Sequence, residues 1–405
     1  GITTSIAMGY LTMNAVTSAT NCIAIGNGVL QTTASINNIA IGTNSMTSTS
    51  TGSSNIAIGL ESLNAQTTGS NNTVIGTQTA KLQTTAADNT ALGYRTLYSN
   101  ITGSYNIAIG SLALSSATSG SGSGSSVAIG YSALAASTTG IKNIAIGRLA
   151  LTAITTGASN IGIGDNSGAS LNTGTNNICI GTNTLTAATI ASNNVGIGHT
   201  ALATLTAGVD NIAIGATSLN AQSVGSGNVA IGSNALAVYT VNGATAIGYQ
   251  AAQAATTATN VTAIGYQALA ALTTGSSNTA IGTSALAAAV TISQHVGVGF
   301  QALSSLTIGT GNVSMGYQAH LSLFAGNSNI AIGTQAMSVS AGTSLNPIDN
   351  CIAIGYQALN STTRGDNVGI GYQTLKVNTG LQNTGLGNNV LSSKTSRSEE
   401  RRVGK

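Results

Sequence analysis

The side chains that most often bind metals or act as nucleophiles are rare in this sequence and stand far apart. The three histidines and three cysteines are His199, His295, His320, Cys22, Cys179 and Cys351. No two of them have the short spacing of a zinc or redox motif. We therefore predict no metal site and no cofactor, and we interpret the cysteines as small buried apolar residues.

Three charged or titratable residues share one position in a repeat, because Arg148, Asp165 and His199 each directly follow a regularly spaced glycine. Neighbouring repeats of a stacked fold lie about 5 Å apart, so Arg148 and Asp165 are predicted to form a surface ion pair. Asp165 and His199 would be on the order of 10 Å apart, and no nucleophile accompanies them. The sequence therefore predicts a protein that is not an enzyme.

The glycine-rich stretches do not have the pattern of ligand-binding loops. No Gly-x-x-x-x-Gly-Lys-Ser/Thr motif occurs, which argues against a phosphate-binding loop. Aspartate is also too rare to supply calcium ligands at every turn of a repeat. The glycines therefore need a structural explanation.

Composition indicates a neutral protein that is ordered by many small apolar residues. Only 5% of the residues are charged, whereas 42% are hydrophobic. Five of the eleven basic and two of the eight acidic residues lie in 394–405, which leaves six of each sign elsewhere. With no basic patch, nucleic acid is not an expected partner. No apolar run is long enough for membrane insertion of this segment.

Regularly spaced glycines divide residues 1–393 into one repeat array. Twenty-three of them run from Gly9 to Gly387, most often 17 residues apart. The consensus is Asn-Ile-Ala-Ile-Gly-Tyr-Gln-Ala-Leu, followed by a Thr-Thr-Gly turn, and we number positions from the first glycine as position 0. A unit this short cannot bury a core alone, so the units must stack. This predicts an all-β, parallel β-solenoid or β-roll of about 23 coils in a single domain.

Residues 394–405 break both the repeat and the composition. We interpret them as a basic tail that results from a sequencing or cloning artefact. Both ends of the chain also interrupt a repeat, which predicts a fragment of a longer protein.

The residues before each glycine predict a short strand in every coil. Position −3 is β-branched in all repeats, position −1 is Ile in 18, and position −2 is mostly Ala or Gly. This period-two alternation is typical of a strand. We expect Ile and Val to face the core and the Ala/Gly column to face outwards. Such a flat apolar stripe predicts a homo-oligomer that buries it.

The segment after each glycine has two interpretations. Leucine or methionine at position +4 adds to the core, and the stretch around it is either a second strand or a single helical turn. Leu269 and Leu272, three residues apart, favour the helical turn in their repeat. A second glycine near position +10 marks a return turn, and longer steps predict loops at 119–125 and 341–350.

Asparagine occupies position −4 in 16 repeats. Identical amides stacked at the strand spacing can hydrogen-bond along the stack, so this column predicts a structural ladder. A ligand-binding row is the alternative interpretation. The first ten members of this asparagine column are Asn38, Asn55, Asn72, Asn89, Asn106, Asn143, Asn160, Asn177, Asn194 and Asn211.

Aromatic residues often follow the glycine at position +1, and glutamine often occupies position +2. This column is either a recognition stripe, because tyrosine is favoured at interfaces, or a stack that shields a corner of the coil. Its members in the second half of the chain are Tyr249, Tyr266, Phe300, Tyr317, Tyr356 and Tyr372.

The strand motif resembles the head repeats of trimeric autotransporter adhesins, whose core string is present here as Ser126-Val127-Ala128-Ile129-Gly130. It is also similar to repeats of phage and giant-virus fibre proteins. The resemblance covers residues 1–393. It implies a left-handed parallel β-roll, three chains side by side, and a role in attachment at a surface.

Repeat and resemblance together predict an extracellular structural fibre or adhesin shaft, on a cell surface or a virion. The expected partners are further copies of the chain, as a trimer or an end-to-end filament, and an unknown receptor or surface ligand. The alternative is an ice-binding solenoid, because Thr67-Thr68, Thr138-Thr139, Thr155-Thr156 and Thr273-Thr274 fall in register.

Overall fold

A computed structural model of the chain describes residues 2–31, 34–118, 125–340, 342–394 and 401–403. The chain forms two compact units, Gly1–Val209 and Asp210–Lys405. Each unit is a parallel β-solenoid, and the chain has about 22 coils with a spacing of about 17 residues. The predicted fold class is therefore confirmed. The loop predicted at 119–125 lies, apart from residue 125, outside the described residues, as do residues 395–400, 404 and 405 of the tail.

Each coil contributes one three-residue strand, here called the motif strand, at positions −3 to −1. In the first unit the motif strands are Ile6–Met8, Ile23–Ile25, Ile39–Ile41, Ile56–Ile58, Thr73–Ile75, Thr90–Leu92, Ile107–Ile109, Val127–Ile129, Ile144–Ile146, Ile161–Ile163, Ile178–Ile180 and Val195–Ile197. Three further strands, Ile2–Thr3, Ser18–Thr20 and Ala34–Ile36, form a small parallel sheet.

The second unit repeats this arrangement. Its strands in the main sheet are Ile212–Ile214, Val229–Ile231, Thr245–Ile247, Thr262–Ile264, Thr279–Ile281, Val296–Val298, Val313–Met315, Ile330–Ile332, Ile352–Ile354, Val368–Ile370, Thr384–Leu386 and Arg401–Val403. The short strands Ser361–Thr362, Val377–Asn378 and Ser393–Lys394 form a second parallel sheet.

Motif strands pair in parallel with their repeat positions in register. Where the spacing is 20 residues, Ile107 still pairs with Val127 and Ile109 with Ile129. The longer step therefore leaves the register of the two strands unchanged, as expected for an insertion into a solenoid. The 22-residue step before Gly355 also keeps register, because Ile330 pairs with Ile352.

The orientation expected for the motif strand is wrong: the alanine column faces the core and the isoleucines face outwards. Ala128 and Ala145 are fully buried, whereas Ile107 is 41% exposed. The reason is the narrow coil, in which the leucine at position +4 already fills the space beneath the strand. A Cβ at Gly162, in the alanine column, would lie only 2.6 Å from Cγ of Leu151, so only a small residue fits there.

The segment after the glycine is a tight series of turns, and the helical-turn interpretation is wrong. Within the described ranges no helix occurs. Positions +2 and +4 have positive φ in most coils, such as +54° at Gln267 and +53° at Leu269. These left-handed residues alternate with others and interrupt a right-handed helix. The turn nevertheless delivers Leu269 to the core, where it is fully buried.

Candidate functional site

The asparagine column forms a buried hydrogen-bonded ladder along the coils. In the first unit, Asn160 Oδ1 accepts the backbone N–H of Asn177 at 3.0 Å and its Nδ2 at 3.0 Å. Asn160 Nδ2 in turn lies 3.2 Å from Oδ1 of Asn143. The same contacts recur between neighbouring asparagines in both units, for example from Asn72 to Asn55. The oxygen of each amide therefore accepts a backbone N–H that has no acceptor within the motif strands.

The same amides close each coil across its interior. Asn160 Nδ2 donates to the carbonyl of Gly174 at 2.9 Å, and Asn143 Nδ2 donates to that of Gly157 at 2.8 Å. His295 replaces asparagine in one coil and keeps both contacts. Its Nδ1 accepts the Asn312 N–H at 3.1 Å, and its Nε2 lies 3.1 Å from the Gly309 carbonyl. The geometry leaves these polar atoms no room for a ligand.

We expect Asn160→Ala to destabilise its coil by about 3 kcal/mol, because the change leaves the buried N–H of Asn177 and the buried carbonyl of Gly174 without their partners. Hydrogen–deuterium exchange of peptides covering residues 143–177 measures this local opening. Asn160→Ser is the matched control, since Ser126 already occupies this column and accepts the Asn143 N–H at 3.3 Å. Asn160→Ser should be about 1 kcal/mol more stable than Asn160→Ala, because the serine hydroxyl can accept one hydrogen bond. Equal protection from exchange in wild type and Asn160→Ala would contradict the conclusion that the ladder stabilises the coil.

The aromatic column lies on the surface and stacks in pairs in the second unit. The ring centroids of Tyr249 and Tyr266 are 5.5 Å apart, and those of Phe300 and Tyr317 are 5.3 Å apart. Tyr356 and Tyr372 form a third pair at 5.2 Å. Interplanar angles of 9° to 15° show that ring faces cover one another. All six predicted aromatic residues are exposed by more than 40% of their surface.

Beside the aromatic rings, the glutamines at position +2 form a second ladder. Gln318 Nε2 donates to Oε1 of Gln301 at 3.0 Å. The chain of amides continues at 3.3 Å from Gln335 to Gln318, and at 2.8 Å from Gln357 to Gln335. Sequence reasoning noted this column without assigning it a ladder, although its signal was the same as that of the asparagines.

The threonines at position +8 use their hydroxyls within the solenoid. Thr67 Oγ1 donates to the carbonyl of Thr84 at 3.1 Å, and Thr138 Oγ1 donates to that of Thr155 at 3.1 Å. The threonines at position +9, such as Thr68 and Thr156, are exposed. The threonine row at position +9 is therefore more exposed to solvent than the half-buried row at position +8.

Two of the three charged or titratable residues singled out by the sequence form a surface ion pair. Arg148 and Asp165 form the predicted pair, with Nη2 to Oδ2 at 2.7 Å. His199 is exposed, and its described side-chain contact is with the hydroxyl of Thr200 at 3.4 Å. A second pair, which the sequence did not suggest, joins Lys81 Nζ to Glu61 Oε2 at 2.7 Å.

The cysteines and one histidine belong to the core. Cys22, Cys179 and Cys351 are fully buried, as predicted. Burial raises the pKa of the Cys179 thiol to about 12, so almost none of it is the reactive thiolate at neutral pH. His320 occupies the leucine position of its coil, and its Nδ1 contacts the hydroxyl of Ser314, which replaces alanine.

A surface groove of about 490 Å³ borders the loop of the 22-residue step. Asp349 fastens this loop by accepting the backbone N–H of Asn327 at 2.7 Å and its Nδ2 at 3.0 Å. The groove is lined by Leu345, Asn346, Pro347, Asp349, Thr363, Arg364, Gly365 and Leu381. Among the described residues, no three histidine, cysteine or acidic side chains cluster to hold a metal ion.

An apolar surface of each unit is the outer side of its motif strands, here called the isoleucine face and defined as positions −3 and −1. Its exposed members include Ile146 and Ile281, each 37% exposed, and Met315 at 43%. Because the strands pair in register, these side chains form two rows along each unit. The row at position −1 is apolar throughout the repeat, whereas the row at position −3 includes threonines at 73, 90, 245, 262, 279 and 384.

Comparison with known proteins does not assign the chain to a family. No protein-family model matches it, and no curated protein matches it significantly. In the part of the chain that the structure describes, no helix is long and apolar enough to cross a bilayer. The β-solenoid is therefore established by the structure, and the adhesin or fibre type stays a prediction.

Proposed function

We propose that this chain is the shaft or head of an extracellular fibre, on a cell surface or a virion, that works in attachment and has no catalytic role. The observation that carries the proposal is the isoleucine face. A soluble monomer rarely exposes a continuous apolar surface of this kind. Side-by-side association of identical chains would bury it, and chemically identical rows on each copy suit a symmetric assembly.

The ladders support a mechanical role. Asparagine amides inside, glutamine amides and stacked rings outside, and backbone bonds between coils all run in the same direction along each unit. Backbone that is hydrogen-bonded between coils in every repeat is expected to open rarely to proteases. These properties suit a stiff extracellular element, and the adhesin-like motif favours three chains per assembly.

The full chain is expected to have a solution mass about three times that of one 39.6 kDa chain. Light scattering after size exclusion measures it. Ile163→Lys combined with Ile180→Lys should reduce the mass to that of one chain, because it places two charges in the apolar seam. Both isoleucines are only partly buried, so the monomer should still fold.

The control for this experiment is Thr156→Lys, which adds a charge at an exposed position outside the isoleucine face and should leave the mass unchanged. A fixed single-chain mass for the wild type would refute the proposal. A mass that grows with concentration would favour the end-to-end filament over the side-by-side trimer.

An ice-binding solenoid remains the second candidate, supported by the exposed +9 threonines alone. The hydroxyls of Thr67, Thr138 and Thr273 donate to backbone carbonyls, and that of Thr155 donates to Oδ1 of Asn172, so these +8 hydroxyls do not offer their protons to ordered water. A thermal-hysteresis measurement separates the candidates, since a fibre should have no effect on ice growth at high micromolar concentration.

A further inference from the structure

The aromatic column of the second unit is interrupted at Thr283, and the interruption has two aromatic walls. Tyr266 stacks on Tyr249 on one side, while Phe300 stacks on Tyr317 on the other. In each pair one ring face is covered by the partner. The uncovered faces of Tyr266 and Phe300 are directed along the column toward the coil of Thr283. The side chain of Thr283 is exposed and is shorter than an aromatic one.

The width of this gap matches one more ring. Tyr266 and Phe300 belong to coils two steps apart, so their rings are separated by about 10 Å, twice the strand spacing of about 4.8 Å. A ring placed between them would lie about 5 Å from each centroid, within the usual range for stacking on an aromatic face. The structure itself stacks its rings at 5.3 Å and 5.5 Å.

The glutamine ladder is interrupted in the same coil, where Ser284 occupies position +2. Gln267 donates through Nε2 to Gln250 at 2.8 Å, and Gln301 accepts from Gln318 at 3.0 Å. Within the described part of the chain, Oε1 of Gln267 and Nε2 of Gln301 have no hydrogen-bond partner. One wall of the gap therefore offers an acceptor and the other a donor, as the amide has one of each.

We propose that this gap, bounded by Tyr266, Gln267, Phe300 and Gln301 and here called the Thr283 slot, binds a pyranose ring of a glycan. A pyranose has C–H faces that pack on aromatic rings and a rim of hydroxyls that donate and accept hydrogen bonds. Its chair is thicker than an aromatic ring, which suits the spacing. The inference rests on the proposed attachment role and names the chemical class of its ligand.

A second interruption serves as an internal comparison. At Thr334 the flanking rings are Tyr317 and Tyr356, but the glutamine ladder continues through Gln335 without a break. This second gap has the aromatic walls but lacks the free amide donor and acceptor. Comparing the two gaps therefore separates the contribution of the amides to ligand binding from that of stacking alone.

The test is saturation-transfer NMR on the full chain with methyl α-D-glucopyranoside, methyl β-D-galactopyranoside and N-acetylglucosamine. Sorbitol is the open-chain comparison, and N-acetyltyrosinamide is the aromatic one. At least one pyranose should bind while sorbitol does not. Thr283→Tyr should weaken that binding about tenfold or more, because the new ring fills the slot. The change makes the column continuous, as at Tyr249 and Tyr266, so circular dichroism should be unchanged.

Two further variants complete the test. Thr334→Tyr should leave pyranose binding unchanged, and Gln301→Ala should weaken it about fivefold through loss of one hydrogen bond. Absence of binding by all three pyranoses, or binding unaffected by Thr283→Tyr, would overturn the proposal. Binding of N-acetyltyrosinamide alone would overturn it in favour of an aromatic side chain. Pyranose binding to the slot and the solution mass of the chain are measured independently. A failure of the glycan proposal can therefore be distinguished from a failure of self-association.

Discussion

Replacing Gly265 with alanine is expected to lower the local free energy of unfolding by about 5 kcal/mol, at the upper end of single substitutions. Gly265 has φ of +134°, a conformation open almost only to glycine. An added Cβ would also lie 2.5 Å from the carbonyl oxygen of Gly282 and 2.6 Å from its carbonyl carbon. That neighbour is backbone and is held by the stack, so it cannot move away without breaking the register between coils.

The matched control is Gly243→Ala in the same unit. Gly243 also has positive φ, +73°, but a Cβ there would meet nothing within 4 Å. We expect a loss of only about 1 kcal/mol from the left-handed conformation itself. Hydrogen–deuterium exchange of peptides covering residues 245–282 reports the local effect, which suits a repeat protein whose coils depend on their neighbours. Equal protection in the two variants would show that the close approach of the motif glycines does not limit stability.

The repeat made most of the fold predictable. A β-branched residue at position −3, isoleucine at −1 and glycine at 0 recur in nearly every unit, and each local preference agrees with a stacked strand. The inward and outward sides of that strand were not predictable from hydrophobicity, because both columns are apolar. The deciding quantity is volume: Leu151 and its equivalents fill the coil, so that alanine fits beneath the strand and isoleucine does not.

The turn after the glycine shows a second limit of sequence reasoning. Leu269 and Leu272 have a helix-like spacing, yet positive φ at Gln267 and Leu269 produces a compact loop that still buries both leucines. Non-glycine residues rarely adopt this conformation, so local propensity argues against it. Hydrogen bonds to the adjacent coils, such as Leu269 N–H to the carbonyl of Ala285 at 3.0 Å, supply the compensation.

The candidate site was visible only in part. The aromatic and glutamine columns are evident in the sequence, and so is the simultaneous loss of both at Thr283 and Ser284. What the sequence does not give is the direction of the ring faces. The stacked pairs, with interplanar angles of 15° and 9°, turn the missing members of two columns into a slot with opposed walls.

Acid should destabilise the second unit through His320. This side chain is fully buried at the leucine position, with Nδ1 against the hydroxyl of Ser314 and Nε2 3.0 Å from the sulfur of Met337. Burial, and to a lesser extent the nearby charge on His295, lowers the pKa of His320 from 6.5 to about 3. A neutral imidazole fits this apolar site, whereas an imidazolium has no anionic partner among these contacts.

The sign of the pH effect follows from proton uptake. Between pH 6.5 and about 3 the unfolded coil binds a proton at His320 that the folded coil excludes, so stability is complete above pH 6.5 and falls as the pH drops. At about 1.4 kcal/mol per pH unit, the loss approaches about 4 kcal/mol near pH 3.5. Hydrogen–deuterium exchange across residues 313–337, corrected for the intrinsic pH dependence of exchange, measures it.

The control for the pH effect restores the consensus pair with His320→Leu and Ser314→Ala together, because His320→Leu alone would leave the serine hydroxyl without its partner. His295, whose pKa is also lowered by burial, and all carboxylates are retained in the double variant. Any acid sensitivity that they cause therefore persists in it. We expect the double variant to lose about 4 kcal/mol less than wild type between pH 7 and pH 3.5. If both proteins lose the same protection, the acid sensitivity arises elsewhere, and a buried neutral His320 does not control the stability of its coil.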